Sequence, residues 1–220
     1  MKIYFVRHGE SEFNAANKHQ HSQVELSQQG KEQVAIVAKR FLRIPIDVIL
    51  TSTSTRAYKT ANIIAAAIER KIIQTSLLTE IKQPSEIVGF SIDDPEAIRV
   101  RALIKEHWNE ASWHYSDEEN FFDAKARAQK FLPMLAERKE ENILAVTHGV
   151  FLTGGARKVL TGRKVLKMVL TLMAAGEKLT PELFLGVRDF FVHRNTGITL
   201  CEYDERGWRL ITWNDHAHLG

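Results

Sequence analysis

The chain has 220 residues, of which 44% are hydrophobic and 26% are charged, and its formal net charge at pH 7 is +3. This size and composition predict a single globular domain over residues 1–220 with a substantial core. The single cysteine, Cys201, excludes a disulfide within the chain and a cysteine zinc cluster, and it fits a reducing, cytoplasmic location. The weak positive charge suits a small anionic ligand. Because there is no long Lys/Arg block and no apolar run of membrane-spanning length, we expect no binding to nucleic acid or to a membrane.

Short runs of strand-forming residues alternate with helical patterns along the chain. Strands are predicted at residues 2–6, 48–51, 72–74 and 143–147, and a final hairpin joins residues 198–203 to residues 208–213. The third strand is expected to extend through residues 76–78. The alternation predicts an α/β fold with three layers, α/β/α, built on a mostly parallel central sheet.

Helical spacing and capping residues place helices between these strands. Helices are predicted at residues 27–41 and 55–68, from Pro95 to residue 108 with Asp94 as its cap, and after Gly149 and Thr180. Residues 116–119 match a capping box that opens a helix to about residue 138. Residues 81–115 and 163–194 interrupt the alternation, and we interpret them as insertions that form a helical cap over a site.

Charged side chains follow three of the predicted strands. Arg7 and His8 follow the first strand, Arg56 lies just beyond the second, and His148 with Gly149 follows the strand at residues 143–147. The carboxyl ends of parallel strands meet at one edge of a sheet, where ligands bind, and helix N-termini add N–H groups there. Two arginines at this edge predict an anion pocket suited to a phosphoryl group. No aspartate-rich metal site, Walker loop or GxGxxG segment occurs, so we expect neither a metal nor a cofactor.

A histidine in such a pocket can attack phosphorus and carry the phosphoryl group covalently. This requires a neutral imidazole whose other nitrogen donates to a fixed acceptor. Arg7, Arg56 and His148 can neutralise the charge that develops on the phosphoryl oxygens. Glu80, beyond the third strand, is the candidate acid for the leaving oxygen, and a nearby anion is expected to raise its pKa.

The order of these residues resembles the histidine phosphatase superfamily, whose fold is that of cofactor-dependent phosphoglycerate mutases and fructose-2,6-bisphosphatases. The resemblance rests on blocks that span nearly the whole chain, at residues 7–14, 26–33, 51–52, 56–57, 60–61, 78–81, 146–149, 213–215 and 218–219. It implies that His8 is the phosphohistidine nucleophile and that Glu80 is the proton donor and later the base. It also implies that the phosphoryl group is held by Arg7, Asn14, Arg56 and His148.

The chain departs from the family pattern near the mouth of the predicted pocket. His21 follows Gln20 where the family usually has glycine, so we expect His21, like Gly149, to contribute to substrate binding. Residues 82–86 lack the basic character of the mutases, which favours a phosphatase acting on a small phosphorylated metabolite or other phosphomonoester. Three alternatives stay open: a mutase that needs a bisphosphorylated primer, a non-catalytic phospho-ligand binder, and a nucleic-acid-binding protein. The oligomeric state is left open between monomer and dimer.

Other polar residues have simpler interpretations. His19 and His21 are expected to be solvated loop histidines or to face the substrate, because no carboxylate or cysteine lies near them to complete a metal site. Arg101 is assigned to a solvated helix face, and Glu119 to the capping box of the following helix. His193 shows no grouping with other polar residues in the sequence, and Asn14 alone is also compatible with a turn.

Overall fold

The computed structural model describes residues 1–149, 165–182 and 193–220. Its strands are β1 (Lys2–Arg7), β2 (Val48–Ser52), β3 (Ile72–Thr75), β4 (Asn142–Thr147), β5 (Ile198–Asp204) and β6 (Gly207–Asp215). Its α-helices are α1 (Glu12–Ala15), α2 (Gln28–Phe41), α3 (Thr55–Ile68), α4 (Pro95–Glu106), α5 (Phe121–Ala136) and α6 (Val165–Ala175). Short 3₁₀ turns lie at Ser76–Leu78, Ser85–Ile87, Gly176–Lys178 and Ala217–Leu219.

The six strands form one sheet in the order β3-β2-β4-β1-β5-β6. β3, β2, β4 and β1 run parallel, whereas β5 is antiparallel to β1 and β6 is antiparallel to β5. Every residue of β2 is buried, as expected for a strand covered on both faces. The predicted α/β fold with a mostly parallel sheet is therefore confirmed.

Alternate residues of the central strands supply two separate cores. In β4, Ile143 and Ala145 pack into a cluster that includes residues of α4, α5 and α6. Leu144 and Val146 face the other side and pack with residues of α2 and α3. Because successive strand residues point to opposite faces, one buried strand supports two helical layers. Cys201 lies in the first core, where burial raises the pKa of its thiol to about 12 and keeps it protonated.

The predicted starts of α2 and α4 are confirmed by their caps, and α3 begins at Thr55 as predicted without a side-chain cap. Ser27 caps α2 by accepting from the Gly30 N–H at 2.9 Å, and the Asp94 side chain caps α4 with Pro95 in its first turn. The capping box at residues 116–119 is wrong. Helix α5 starts at Phe121, and its capping box is formed by Asn120 and Asp123.

The remaining differences concern the third strand and the two insertions. Residues 76–78 form a 3₁₀ turn instead of extending β3. The first insertion, residues 81–115, contains the turn Ser85–Ile87 and helix α4, whose Val100 and Ile104 are buried in the first core. The helix predicted after Gly149 and most of the one predicted after Thr180 lie outside the described residues, as does part of the second insertion. Over the ranges that the structure describes, no helix is long and apolar enough to cross a membrane.

Candidate active site

The candidate site lies where the carboxyl ends of β1, β2 and β4 adjoin in the sheet. The register pairs Arg7 of β1 with Thr147 of β4, so His8 and His148 follow neighbouring strands at the same level. The His8 N–H donates to the Thr147 carbonyl at 3.0 Å, and the centroids of the two histidine rings are 5.1 Å apart. Arg56, in the first turn of α3, reaches the same point. The sequence thus predicted correctly which charged residues the sheet edge brings together.

His8 is buried and held in one tautomer. Its Nδ1 lies 2.7 Å from the Gly9 carbonyl oxygen, which can only accept, so Nδ1 carries the proton. Nε2 therefore presents its lone pair, toward which the Nε–H of Arg56 donates at 3.2 Å. Burial, followed by the charges of Arg56 and Arg7, lowers the pKa of His8 well below its usual value, so the ring is neutral near pH 7.

Arg7 and Arg56 supply two buried positive charges beside that ring. Arg7 is 2% exposed and donates to the His193 carbonyl at 2.7 Å, while Arg56 is 3% exposed and donates to the His21 carbonyl at 2.9 Å. Burial lowers the pKa of each to about 10, and the charge of Glu80 opposes that shift in both cases. Both guanidinium groups remain charged at neutral pH, which makes this end of the site an anion-binding environment.

His148 is fully buried next to His8. Its Nε2 lies 2.9 Å from the Ser52 hydroxyl, and its Nδ1 has no hydrogen-bond partner among the described residues. Burial and the charge of Arg56 lower its pKa well below the usual value, so the ring is neutral. When Ser52 donates to Nε2, the proton of His148 resides on Nδ1, which leaves a buried N–H available to a bound oxygen.

A cavity of about 660 Å³ opens onto these groups and is lined by the remaining predicted residues. Glu80 is half-buried in its wall, and one carboxylate oxygen accepts from the Ile81 N–H at 3.1 Å. Asn14 is buried in α1 and forms a reciprocal capping box with Ser11. It also lines the cavity, so the turn and the cavity position expected for it are both present.

Gly149 and His21 also line the cavity, and each contacts one of the two buried arginines. A β-carbon at Gly149 would lie 2.8 Å from Cδ of Arg7, so only glycine leaves that arginine in place. The ring of His21 is exposed and packs edge-on against Phe13, whereas its carbonyl oxygen accepts from Arg56. His148 itself is not part of the cavity wall.

Two residues near the site were misjudged from the sequence, and His19 takes the second of its two expected settings. Arg101 is not on a solvated face: it lines the cavity and donates to the carbonyl oxygens of Ile92 at 2.5 Å and of Ala97 at 3.1 Å. His19 is 5% exposed in the cavity wall, so it faces the cavity and is not a solvated loop residue. Glu119 pairs with Arg127 through both oxygens, at 2.9 and 2.7 Å, instead of capping α5.

His193 is the supporting residue that sequence reasoning missed. It is 1% exposed, its carbonyl accepts from Arg7, and its Nε2 lies 2.9 Å from the Thr199 hydroxyl. The same segment sends the Asn195 amide to the His8 carbonyl at 2.9 Å. These contacts span more than 180 residues of sequence, so no local pattern reveals them.

A mostly parallel α/β sheet with two buried arginines and two neutral histidines at its edge defines a phosphoryl-binding class of protein. A family model described as the histidine phosphatase superfamily (branch 1) matches residues 3–168. The chain therefore belongs to the histidine phosphatase superfamily.

Individual relatives carry both phosphatase and mutase names. "Probable phosphoglycerate mutase GpmB" of Serratia proteamaculans is 38% identical over 82 residues, which cover 37% of this chain and 38% of that protein. Phosphoserine phosphatase 1 of Hydrogenobacter thermophilus is 37% identical over 82 residues, covering 37% of this chain and 39% of that protein. The solved structure of Bacillus stearothermophilus YhfR has the same fold, with a TM-score of 0.78 and 23% identity over 100% of this chain and 99% of that chain.

Proposed function

We propose that the protein hydrolyses a small phosphomonoester through a phosphohistidine formed on Nε2 of His8. The observation that carries this proposal is the fixed, neutral tautomer of His8, whose Nε2 lone pair meets Arg56 at one end of the cavity. An imidazole in this state is a nucleophile, and the flanking guanidinium groups match a phosphoryl dianion. The attack uses the neutral imidazole, so His8 does not have to lose a proton first.

In the first step the phosphoryl group binds to Arg7 and Arg56, with Asn14 and Gly149 of the cavity wall beside it, while His148 lies next to His8 outside that wall. Its oxygens take over the N–H of Arg56 that faces His8, which frees Nε2. The bond from Nε2 to phosphorus then forms as the bond from phosphorus to the ester oxygen breaks. The negative charge of the bound phosphoryl group favours a proton on Glu80, and this proton passes to the departing oxygen, so the alcohol leaves neutral.

In the second step water replaces the alcohol. Ionised Glu80 removes a proton from the water as its oxygen bonds to phosphorus, and the bond to Nε2 breaks. His8 regains its lone pair, Glu80 is again protonated, and inorganic phosphate is the product. The two buried arginines carry the charge in both transition states.

Replacing His8 with alanine tests this mechanism. His8→Ala should lower kcat for p-nitrophenyl phosphate by about 1,000-fold or more, as loss of a catalytic nucleophile does in other enzymes. The phosphohistidine can also be trapped, by quenching the wild-type protein during turnover of a substrate that is labelled in its phosphoryl group. The protein should then carry a label that is acid-labile and alkali-stable, and His8→Ala should lack it.

His107→Phe is the matched control, because His107 stacks on Trp113 and is not part of the cavity wall. Turnover by His8→Ala near the wild-type rate would contradict the mechanism.

Phosphoglycerate mutase activity is the second candidate, favoured by the mutase name of the Serratia relative. It would use the same phosphohistidine and transfer the group back to the substrate instead of to water. Incubation with 3-phosphoglycerate, with and without 2,3-bisphosphoglycerate as primer, separates the two activities. A phosphatase releases inorganic phosphate in both cases, whereas a mutase forms the isomer and depends on the primer.

A further inference from the structure

His19 is a buried polar group in the cavity wall for which the phosphoryl chemistry has no use. It is 5% exposed, and its Nδ1 lies 2.5 Å from Oε1 of Gln83, another residue of the wall. Its Nε2 is buried and has no hydrogen-bond partner in the part of the chain that the structure describes. A buried polar atom without a partner costs free energy, which a bound group can recover.

The backbone of His19 is fixed by hydrogen bonds to residues 89 and 90. Its N–H donates to the Phe90 carbonyl at 2.9 Å, and its carbonyl accepts from the Gly89 N–H at 2.9 Å. The adjacent Lys18 forms an isolated antiparallel bridge with Ser91. These contacts tie the segment after α1 to residues 89–91 and fix the backbone at His19, while the contact with Gln83 orients the imidazole.

The surroundings of His19 define the group it can bind. Because Gln83 presents its carbonyl oxygen, Nδ1 carries the proton and Nε2 presents a lone pair. Burial and the charge of Arg101 lower the pKa of His19, against the opposing effects of the Gln83 hydrogen bond and of the charge of Asp94, so the ring is neutral. A carboxylate has no proton to donate and would be repelled by the lone pair, and Arg101, the stronger of the two charges acting on the ring, disfavours an ammonium group. The matching partner is a neutral donor, which in a small metabolite is a hydroxyl group.

We propose that His19 is a specificity residue that accepts a hydrogen bond from a hydroxyl group on the leaving portion of the substrate, with Gln83 positioning its ring. This inference rests on the proposed phosphatase function and extends it. The phosphoryl group would occupy the end near His8, and a hydroxylated leaving group, such as a polyol or sugar, would extend along the cavity to His19. The enzyme should then discriminate polyol phosphates from alkyl phosphates of the same length.

Matched substrate pairs test the proposal without assuming the distance from phosphorus to the hydroxyl. Glycerol, erythritol and sorbitol phosphates are each compared with the alkyl phosphate of equal carbon number. For at least one pair, kcat/KM for the polyol should exceed that for the alkyl ester by about tenfold in the wild type, the effect of one buried hydrogen bond. His19→Phe keeps a ring but has no ring nitrogen, so it should remove this preference. His19→Gln should restore part of it, and Gln83→Met should reduce it.

The controls separate this inference from the proposed function. His107→Phe should retain the wild-type preference, and thermal unfolding of each variant reports whether it is folded. A preference that stays within about twofold of wild type in folded His19→Phe, for every pair, would overturn the role of His19. Failure of the wild type to hydrolyse p-nitrophenyl phosphate as well as these esters would instead count against the proposed function, whereas a wild type that hydrolyses them without a preference in any pair would overturn the role of His19 alone. If the esters are not hydrolysed, the preference would be measured by calorimetric binding of the same pairs to the wild type and to His19→Phe, and equal ratios would again rule out His19.

Discussion

His8 is made neutral by its surroundings without the help of a carboxylate. In many catalytic sites an acidic group orients the histidine and stabilises its protonated form. Here the Gly9 carbonyl orients the ring, and two guanidinium groups together with burial disfavour protonation. In the proposed mechanism the nucleophile needs its lone pair, so the two arginines that would attract the phosphoryl dianion would also keep His8 in the reactive form.

Glu80→Gln should separate proton donation from phosphoryl binding. Glutamine keeps the size of Glu80 and its acceptor for the Ile81 N–H but cannot protonate a departing oxygen. We expect kcat/KM for alkyl phosphates to fall by about 100-fold or more, while p-nitrophenyl phosphate, whose leaving group needs little protonation, is affected far less.

The measurement is a series of esters whose alcohols differ in pKa. Glu86→Gln, at an exposed glutamate bonded to the Ser116 hydroxyl, is the control. An equal loss for all esters would assign proton transfer to another group.

Residues directly after strands could be predicted, whereas residues that depend on long loops could not. Arg7, His8 and His148 follow strands whose apolar patterns identify them, so their meeting follows from the sheet alone. Arg101 and His19 reach the cavity because residues 85–92 turn back toward the segment after α1, and no local pattern encodes that turn. The amphipathic pattern of α4 predicts that Arg101 is exposed. In the structure it is half-buried, because its long side chain bends to reach the carbonyl oxygens of Ile92 and Ala97.

At the scale of elements, the start of α5 depends on tertiary contacts, because the sequence before it contains two possible capping boxes, at residues 116–119 and at residues 120–123. Residues 116–119 have the letters of a capping box, but Glu118 is buried and accepts from the N–H groups of Tyr115 and Ser116. Glu119 meanwhile pairs with Arg127, which also donates to the Thr79 carbonyl at 2.7 Å. The helix therefore begins four or five residues later than predicted, and Glu119, through Arg127, braces the loop that carries Glu80.

Helix α2 approaches the loop after β1 so closely that only glycine fits at Gly30. A β-carbon there would lie 1.9 Å from the Glu10 carbonyl oxygen, and that atom is backbone. Gly30→Ala should therefore push α2 away from the segment that begins at His8. We expect a loss of about 2–3 kcal/mol in the free energy of unfolding, together with reduced kcat.

Urea unfolding of Gly30→Ala measures that loss directly. Gln29→Ala, one residue earlier at an exposed position of the same turn, is the control and should unfold near the wild-type midpoint. Because alanine favours helix over glycine, unchanged or increased stability of Gly30→Ala would mean that α2 and the loop are not in close contact.

For the whole molecule, burying several neutral histidines together has a consequence for acid stability. Burial lowers the pKa of His8, His148 and His193, the last to about 3, and it also lowers that of His218 to about 4. In the unfolded chain these rings bind protons near pH 6.5, whereas in the folded protein they stay neutral to lower pH. The unfolded state therefore binds more protons below pH 6.5. Above pH 6.5 these rings are neutral in both states and stability is at its full value. As the pH falls from 6.5 toward the pKa values of the folded protein, the free energy of unfolding decreases.

This linkage predicts a steep loss of stability between about pH 6.5 and about pH 5, where the buried histidines set the slope. Each buried histidine should lower the free energy of unfolding by about 1.4 kcal/mol per pH unit below its unfolded pKa. The carboxylate of Asp117, with its pKa lowered from 3.8 to about 2 by Lys82, contributes only under more acidic conditions. Urea unfolding at intervals between about pH 7.5 and about pH 5 measures the slope. His193→Asn should lower the slope by about one histidine's share, whatever it does to absolute stability, whereas His114→Gln, at the surface beside Asp123, should leave it unchanged. A free energy of unfolding that stays constant across this range would mean that the pKa values of these rings are the same in the folded and the unfolded protein, so that burial beside Arg7 and Arg56 does not keep them neutral below pH 6.5.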